Sequence, residues 1–225
     1  MAILFDLDGT LIDTADDLIN TTNNLCTELN KPIIDPKLLK DNLSFGLEKM
    51  LQIALNINIT EINAEYLEEL KNRFRVLYRQ SKFIDSKLFP GIELLIANLK
   101  EHGFKIGVVT NKTLEFASLT LDRVNLLTVI DCLVASDMVS KPKPHPEPVL
   151  LAMDKLQVKP HECIFIGDAE QDIISGNAAG VRTVAALFGY VGNKTVAKTW
   201  PAKYFVTTPT DLWPLVQSLF ASNFK

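Results

Sequence analysis

The sequence predicts an α/β protein, a doubly wound parallel sheet interrupted by one inserted all-helical domain. Short apolar runs at 2–5, 104–110, 130–135, 162–167 and 182–187 alternate with helical stretches, the pattern of buried parallel strands and crossover helices. Residues 15–84, by contrast, hold no convincing strand. A length of 225 residues exceeds one simple domain and falls short of two full ones, which fits a core at 1–14 and 85–225 with an insertion at 15–84.

The elements follow in order. Residues 2–5 are too short for a helix and suit a buried strand that ends in Asp6-Leu7-Asp8-Gly9-Thr10. Leu18, Ile19, Leu25 and Leu29 are spaced for a helix that Lys31-Pro32 stops. Ser44 is expected to cap a helix over 45–55, and Thr60-Glu61 to start a longer one reaching about 80. After Phe89-Pro90-Gly91 come a helix over 92–102 ended by Gly103, a strand, a helix over 112–124 and a short strand. Four prolines stiffen the loop 141–148, and a helix then runs to about 156. The strand at 162–167 leads to a helix over 169–179, the strand at 182–187 to a weak one at 203–206, and a helix over 211–220 closes the chain.

Composition is ordinary for a globular protein, with 47% hydrophobic and 22% charged residues. A net charge of −4 gives no bulk reason to expect nucleic acid or an anionic membrane as partner. Cys26, Cys132 and Cys163 are far apart, odd in number and without metal-ligand spacing, which fits a reducing, cytoplasmic setting. The N-terminus has no basic region and reaches Asp6 too early for a signal peptide, and no apolar run approaches the roughly 20 residues of a membrane span.

The strand ends carry the chemistry. Two carboxylates at the end of a buried strand are costly without a cation or a reaction to use them, although acidic turn residues are also common. Asp6 and Asp8 follow the first strand, Thr110 and Asn111 the second; Lys143 comes from the stiff loop, and Asp168 and Asp172 follow the strand at 162–167. In a parallel sheet these tails share one edge. Carboxylates, a hydroxyl and an ammonium arriving there describe a hard-cation site, suited to Mg²⁺, beside an anion site.

In this order, DxDGT at 6–10, Thr110-Asn111, Lys143-Pro144 and GDxxxD at 167–172 resemble the motifs of the haloacid dehalogenase superfamily of phosphotransferases. The helical insertion resembles that superfamily's first cap type. VVTNK at 108–112, KPKPHPEP at 141–148, IGDAEQDIISGNAAG at 166–180 and FGY at 188–190 are most similar to its phosphoglycolate phosphatase-like branch. N-acetylmuramic acid 6-phosphate phosphatases are similar too, and a sugar phosphomutase would share every core residue. The resemblance implies a Mg²⁺-dependent hydrolase of a small phosphorylated metabolite, working alone or as a homodimer.

By that resemblance Asp6 is the nucleophile, Asp8 the general acid and base, Thr110 and Asn111 hold phosphoryl oxygens or substrate, and Lys143 neutralises charge. The carboxylates of Asp6 and Asp168 and the carbonyl of Asp8 would ligate Mg²⁺. Asp172 either supports the metal ligands or is a first-turn helix acid; both readings stand. Lys141 also precedes a proline, but the distance to Gly167-Asp168 favours Lys143. In the cap, Ser44, the Gly46 backbone and Lys49 are candidates to hold a substrate carboxylate, against the alternative of an exposed amphipathic helix. Arg73, Arg75 and Arg79 read as solvent-facing, Asp13 as a cap of the first inserted helix, and Lys112, His145 and Phe188-Gly189-Tyr190 as structural or surface residues. A dehalogenase is disfavoured by the second aspartate. A phospho-receiver module would gather acids in the same way but would need neither an inserted helical domain nor Asp8.

Overall fold

The computed structural model describes residues 1–221. In chain order the strands are β1 (Ala2–Phe5), β2 (Ile12–Asp13), β3 (Lys87–Leu88), β4 (Lys105–Val109), β5 (Cys132–Val134), β6 (Cys163–Gly167), β7 (Arg182–Ala186) and β8 (Tyr204–Val206). The helices are α1 (Ala15–Glu28), α2 (Pro36–Lys40), α3 (Leu47–Leu55), α4 (Ala64–Gln80), α5 (Ile92–Glu101), α6 (Leu114–Arg123), α7 (Glu147–Leu156), α8 (Glu170–Ala178), α9 (Lys194–Ala197) and α10 (Leu212–Leu219).

Six strands form one parallel sheet in the order β5-β4-β1-β6-β7-β8. The chain winds outward in both directions from β1, whose Phe5 lies in register with Val108 on one side and Ile166 on the other. A crevice opens where the winding reverses, just past the carboxyl ends of β4, β1 and β6. The two-residue period of a strand then sorts the core. Ile3 and Phe5 pack with α5, α10 and part of α6, whereas Ala2 and Leu4 pack with Val149, Ala152 and Leu156 of α7 on the opposite face.

Between β2 and β3 the segment is helical. Its own cluster joins Leu25, Cys26, Leu51, Leu70, Phe74 and Tyr78, and reaches across to Phe116 of α6. The antiparallel pairing of Ile12 with Leu88 and Asp13 with Lys87 clasps the two crossings into and out of this segment. At two residues each, β2 and β3 are too short to show a sequence period. Two helix starts differ from expectation. Gly46 takes a positive φ of 83°, so α3 begins at Leu47 and Ser44 sits in the preceding 3-10 turn. α4 begins at Ala64, because the Asn63 side chain accepts the Tyr66 amide at 2.6 Å and supplies the cap expected of Thr60. All three cysteines are free and buried. Among the described residues no helix is long and apolar enough to cross a membrane.

Candidate active site

Asp6 leaves the end of β1 with its amide donating to the Ile166 carbonyl of β6, which keeps it in the sheet's plane between two strand ends. From the 141–148 loop, the Lys143 ammonium reaches Asp6 Oδ1 at 2.6 Å, Asp172 Oδ1 at 2.7 Å and the Val109 carbonyl at 2.9 Å. The Lys143–Pro144 peptide is cis. Asn111 anchors this loop: its Oδ1 accepts the Lys143 amide, and its Nδ2 donates to the Lys143 carbonyl and to Gln171 Oε1, each at 3.0–3.1 Å. Lys141 is exposed and does not reach the site; its amide donates to Glu147.

Asp168 follows β6 and is fully enclosed. Thr10 Oγ1 donates to its Oδ1 at 2.8 Å, and the Tyr190 amide donates to its Oδ2 at 2.7 Å. Two glycines let the chain wrap so closely. Gly9 has a φ of 89°, and a Cβ there would sit 2.2 Å from Asp168 Oδ2; a Cβ on Gly189 would meet the Gly9 carbonyl at 2.1 Å. Phe188-Gly189-Tyr190 thus serves as a backbone clamp on Asp168. Asp172 Oδ2 accepts the Ala169 amide at 2.9 Å, so this acid both caps α8 and faces Lys143.

Carboxylate oxygens of Asp6, Asp168 and Asp172 lie within 4.8 Å of one another, all buried. Burial pushes the Asp6 carboxyl up to about 7, the Lys143 charge pulls the other way, and the Asp172 charge adds to the rise. Asp168 is pushed well up by burial and then by the charges of Asp6 and Asp172. Burial works against the charge on Lys143, but Asp172 and Asp6 outweigh it and hold it as an ammonium. Three buried carboxylates against one ammonium leave an excess of negative charge, and their hard oxygen donors suit a hard divalent cation. The residues fit a metal centre.

Thr110 is buried at the end of β4, its amide bonded to Val134 and its Oγ1 accepting the Lys112 amide at 3.1 Å. The first amide of α6, on Leu114, donates to Asp137 Oδ1. Asp8 is half-buried, and its Oδ1 accepts from Thr14 Oγ1 and from Lys112 Nζ, both at 2.6 Å. Asp13 Oδ1 accepts the Tyr190 hydroxyl at 2.7 Å and the Ala15 amide at 3.2 Å, at the start of α1. His145 is exposed on the loop.

A cavity of about 670 Å³ joins these groups to the helical segment, and Asp6, Asp8, Thr110, Asn111, Lys143 and Asp168 all line it. Ser44 and Gly46 line it from the other side. Lys49 does not, which corrects the sequence expectation. α3 turns Leu47, Glu48 and Met50 to the cavity, and at about 100° per residue position 49 falls on the far side of the helix. The cations there come from α4 instead. Lys71, Phe74, Arg75 and Tyr78 share one face, at spacings of three and four, and all four line the cavity. Lys71 pairs with Glu48 at 2.5 Å and Arg75 with Glu68 at 2.6 Å, while Arg73 and Arg79 pair elsewhere, with Glu28 and Glu115.

The sequence therefore misplaced Arg75, and for Lys112 it left a structural and a surface reading side by side. Arg75 lies on a stripe that mixes charge with aromatics, so apolar periodicity does not mark it. For Lys112 one signal existed: it sits just before the N-terminus of α6, where the helix dipole disfavours a cation unless an acid compensates.

Comparison with known proteins places this arrangement. The family model for haloacid dehalogenase-like hydrolases matches residues 3–186. A phosphoglycolate phosphatase of Xanthomonas campestris pv. campestris (strain 8004) is 35% identical over 212 residues, covering 94% of each chain. An N-acetylmuramic acid 6-phosphate phosphatase of Pseudomonas putida is 34% identical over 217 residues, covering 96% of each. The crystal structure of a predicted phosphoglycolate phosphatase from Haemophilus somnus 129pt superposes with a TM-score of 0.85 at 24% identity, over 96% of this chain and 97% of that one.

Proposed function

The chain belongs to the haloacid dehalogenase-like hydrolases, and on that premise we propose that it is a Mg²⁺-dependent phosphomonoester phosphatase with phosphoglycolate as its substrate. One observation supports this above the rest: Lys143 bridges Asp6 and Asp172 beside Asp168, all buried, at the carboxyl end of β1. Residues 15–84 act as a cap, and the work is done in the cytoplasm, in keeping with three unpaired cysteines.

Asp6 is the nucleophile. One of its carboxylate oxygens attacks phosphorus as the bond to the substrate's alkoxide oxygen breaks, and Asp8 donates a proton to that oxygen. Asp8 then takes a proton from a water that attacks phosphorus, releasing inorganic phosphate and restoring the Asp6 carboxylate. Thr110 donates a hydrogen bond to a phosphoryl oxygen, and Lys143 balances the charge shared by that group and Asp6. Bound through Asp6, Asp168 and the Asp8 carbonyl, Mg²⁺ would neutralise phosphoryl charge; Asp172 holds Lys143 and the Ala169 turn beside it. The cap excludes water, and the α4 cations can meet a substrate carboxylate.

The size of the cavity favours a second substrate. About 670 Å³ lies within the range of about 300–1,000 Å³ that accommodates drug-sized ligands. That is far more room than a two-carbon phosphoester needs, and it suits a carboxylated sugar phosphate such as N-acetylmuramic acid 6-phosphate.

Phosphate release from phosphoglycolate, N-acetylmuramic acid 6-phosphate and a hexose phosphate, each with Mg²⁺ and with a chelator, tests the proposal. Turnover that requires Mg²⁺ and vanishes in Asp6→Asn supports it. Turnover surviving Asp6→Asn rules out the nucleophile assigned here.

A further inference from the structure

Lys112 lies outside the phosphoryl site, yet it lines the same cavity and has an acceptor for each of its donors. Its side chain is only 10% exposed. An ammonium has three N–H donors, and three acceptors from three different elements surround this one. They are Asp8 Oδ1 at 2.6 Å from the loop after β1, the Tyr78 hydroxyl at 3.0 Å from α4, and Thr120 Oγ1 at 3.4 Å from α6.

We propose that Lys112 is a positioning residue. It fixes the Asp8 carboxylate for proton transfer and, through the Tyr78 hydroxyl, ties that placement to the seating of the helical segment over the site. The inference rests on the phosphatase function proposed above.

The geometry supports each half. Lys112 and Thr14 both bond to Oδ1 of Asp8, so Oδ2 is the oxygen left to carry a proton to or from the reacting group. Tyr78 cannot easily shift within its helix. It is buried among Phe74, Phe83 and Phe116, with ring centroids 4.6–5.8 Å away, and its hydroxyl moves only as α4 moves. Displacing α4 from the sheet therefore removes one of the three acceptors that define where the ammonium sits. Asp8 is then held less firmly when the cap is unseated and most firmly when it covers the substrate, which confines proton transfer to the closed, water-excluding state.

Leaving-group dependence separates this role from a merely structural one. In the first step Asp8 gives its proton to the departing alkoxide, whereas 4-nitrophenolate departs without one. A misplaced Asp8 thus slows an alkyl phosphate much more than an aryl phosphate. The experiment compares kcat/KM of the full-length protein with Mg²⁺ for phosphoglycolate, or the best alkyl phosphate turned over, and for 4-nitrophenyl phosphate. The variants are Lys112→Met, Tyr78→Phe and the double substitution.

For Lys112→Met the alkyl substrate is expected to lose about 100-fold and the aryl substrate at least about tenfold less than that. Tyr78→Phe is expected to shift the ratio in the same direction by a smaller factor, and the double variant to lose less than the product of the two. If Lys112→Met does not fold, Tyr78→Phe decides alone, since it removes a single oxygen. Equal losses on both substrates overturn the positioning role. An unchanged ratio in Tyr78→Phe overturns the tie to the helical segment. Absence of turnover by the unmodified enzyme on either substrate overturns the phosphatase function itself and this inference with it.

Discussion

Thr10 and Asp168 stand 158 positions apart in the chain and are joined by a 2.8 Å hydrogen bond that is fully buried. The bond links the loop after β1 to the loop after β6, which supply Asp6 and Asp168 of the carboxylate cluster. It also fixes one Asp168 oxygen while the Tyr190 amide fixes the other.

Thr10→Val keeps the shape of this contact and removes the donor. Partners that orient a metal-ligating carboxylate typically account for about 10–100-fold in metal affinity or activity. The Mg²⁺ concentration for half-maximal phosphate release is expected to rise by about that factor, with the maximal rate less affected. An unchanged Mg²⁺ dependence would show that the Tyr190 amide alone orients Asp168.

Lys143 is the only ammonium within bonding distance of Asp6 and Asp172 among the described residues. Lys143→Met preserves bulk and leaves the buried carboxylates unopposed. Removing one partner of a buried pair typically costs about 3–5 kcal/mol. Denaturant unfolding of the metal-free variant is expected to show a loss of that size, partly recovered with Mg²⁺. A loss below about 1 kcal/mol would mean that the acids relax apart or take up protons at no cost.

These strand-end residues were legible because each sits where a buried apolar run stops, and a buried run ended by Asp6, Thr110 or Asp168 needs a reason. The sheet was legible for a related cause: parallel strands covered on both faces are apolar throughout, as CIFIG at 163–167 is. What stayed hidden depends on tertiary placement. Whether Lys49 or Arg75 faces the cavity turns on how α3 and α4 are rotated, and the 83° φ of Gly46 sets where α3 begins. Lys112 could be read only as structural or surface, with no partner to name, because the acid that explains it, Asp8, is 104 positions away.

Acidity gives a prediction with a definite sign. In the unfolded chain an aspartate titrates near about 3.9; in the folded protein burial first, with Asp172 adding and Lys143 opposing, raises Asp6 to about 7. Between these values the folded state binds more protons than the unfolded one, so stability falls as pH rises through the window and levels off above it. Asp168 shifts in the same direction. Mg²⁺ needs ionised carboxylates, so the stabilisation it confers should grow as pH rises. Melting curves with chelator and with Mg²⁺, from about pH 5 to about pH 8, measure both trends. They need only the folded protein, with no substrate. A metal-free Tm that climbs across this window would contradict the upward shift that burial imposes on Asp6.

The cations of the helical segment provide the last test, because sequence and structure point to different residues. Lys49 lies off the cavity, whereas Lys71 and Arg75 line it beside Ser44 and Gly46. If α4 receives the substrate's carboxylate, Arg75→Ala should raise KM while kcat changes little, since that contact is the same in ground and transition states. A charge-assisted hydrogen bond is worth about 1.5–3 kcal/mol. Arg75 already pairs with Glu68 at 2.6 Å, so the lower end applies, about a tenfold rise in KM. Lys49→Ala should leave both constants near those of the unmodified enzyme. Steady-state kinetics on a carboxylated and a carboxylate-free phosphomonoester complete the comparison. The Arg75→Ala effect should appear only with the carboxylated substrate, and a KM rise shared by both would assign Arg75 to the phosphoryl group or to packing of the helical segment instead.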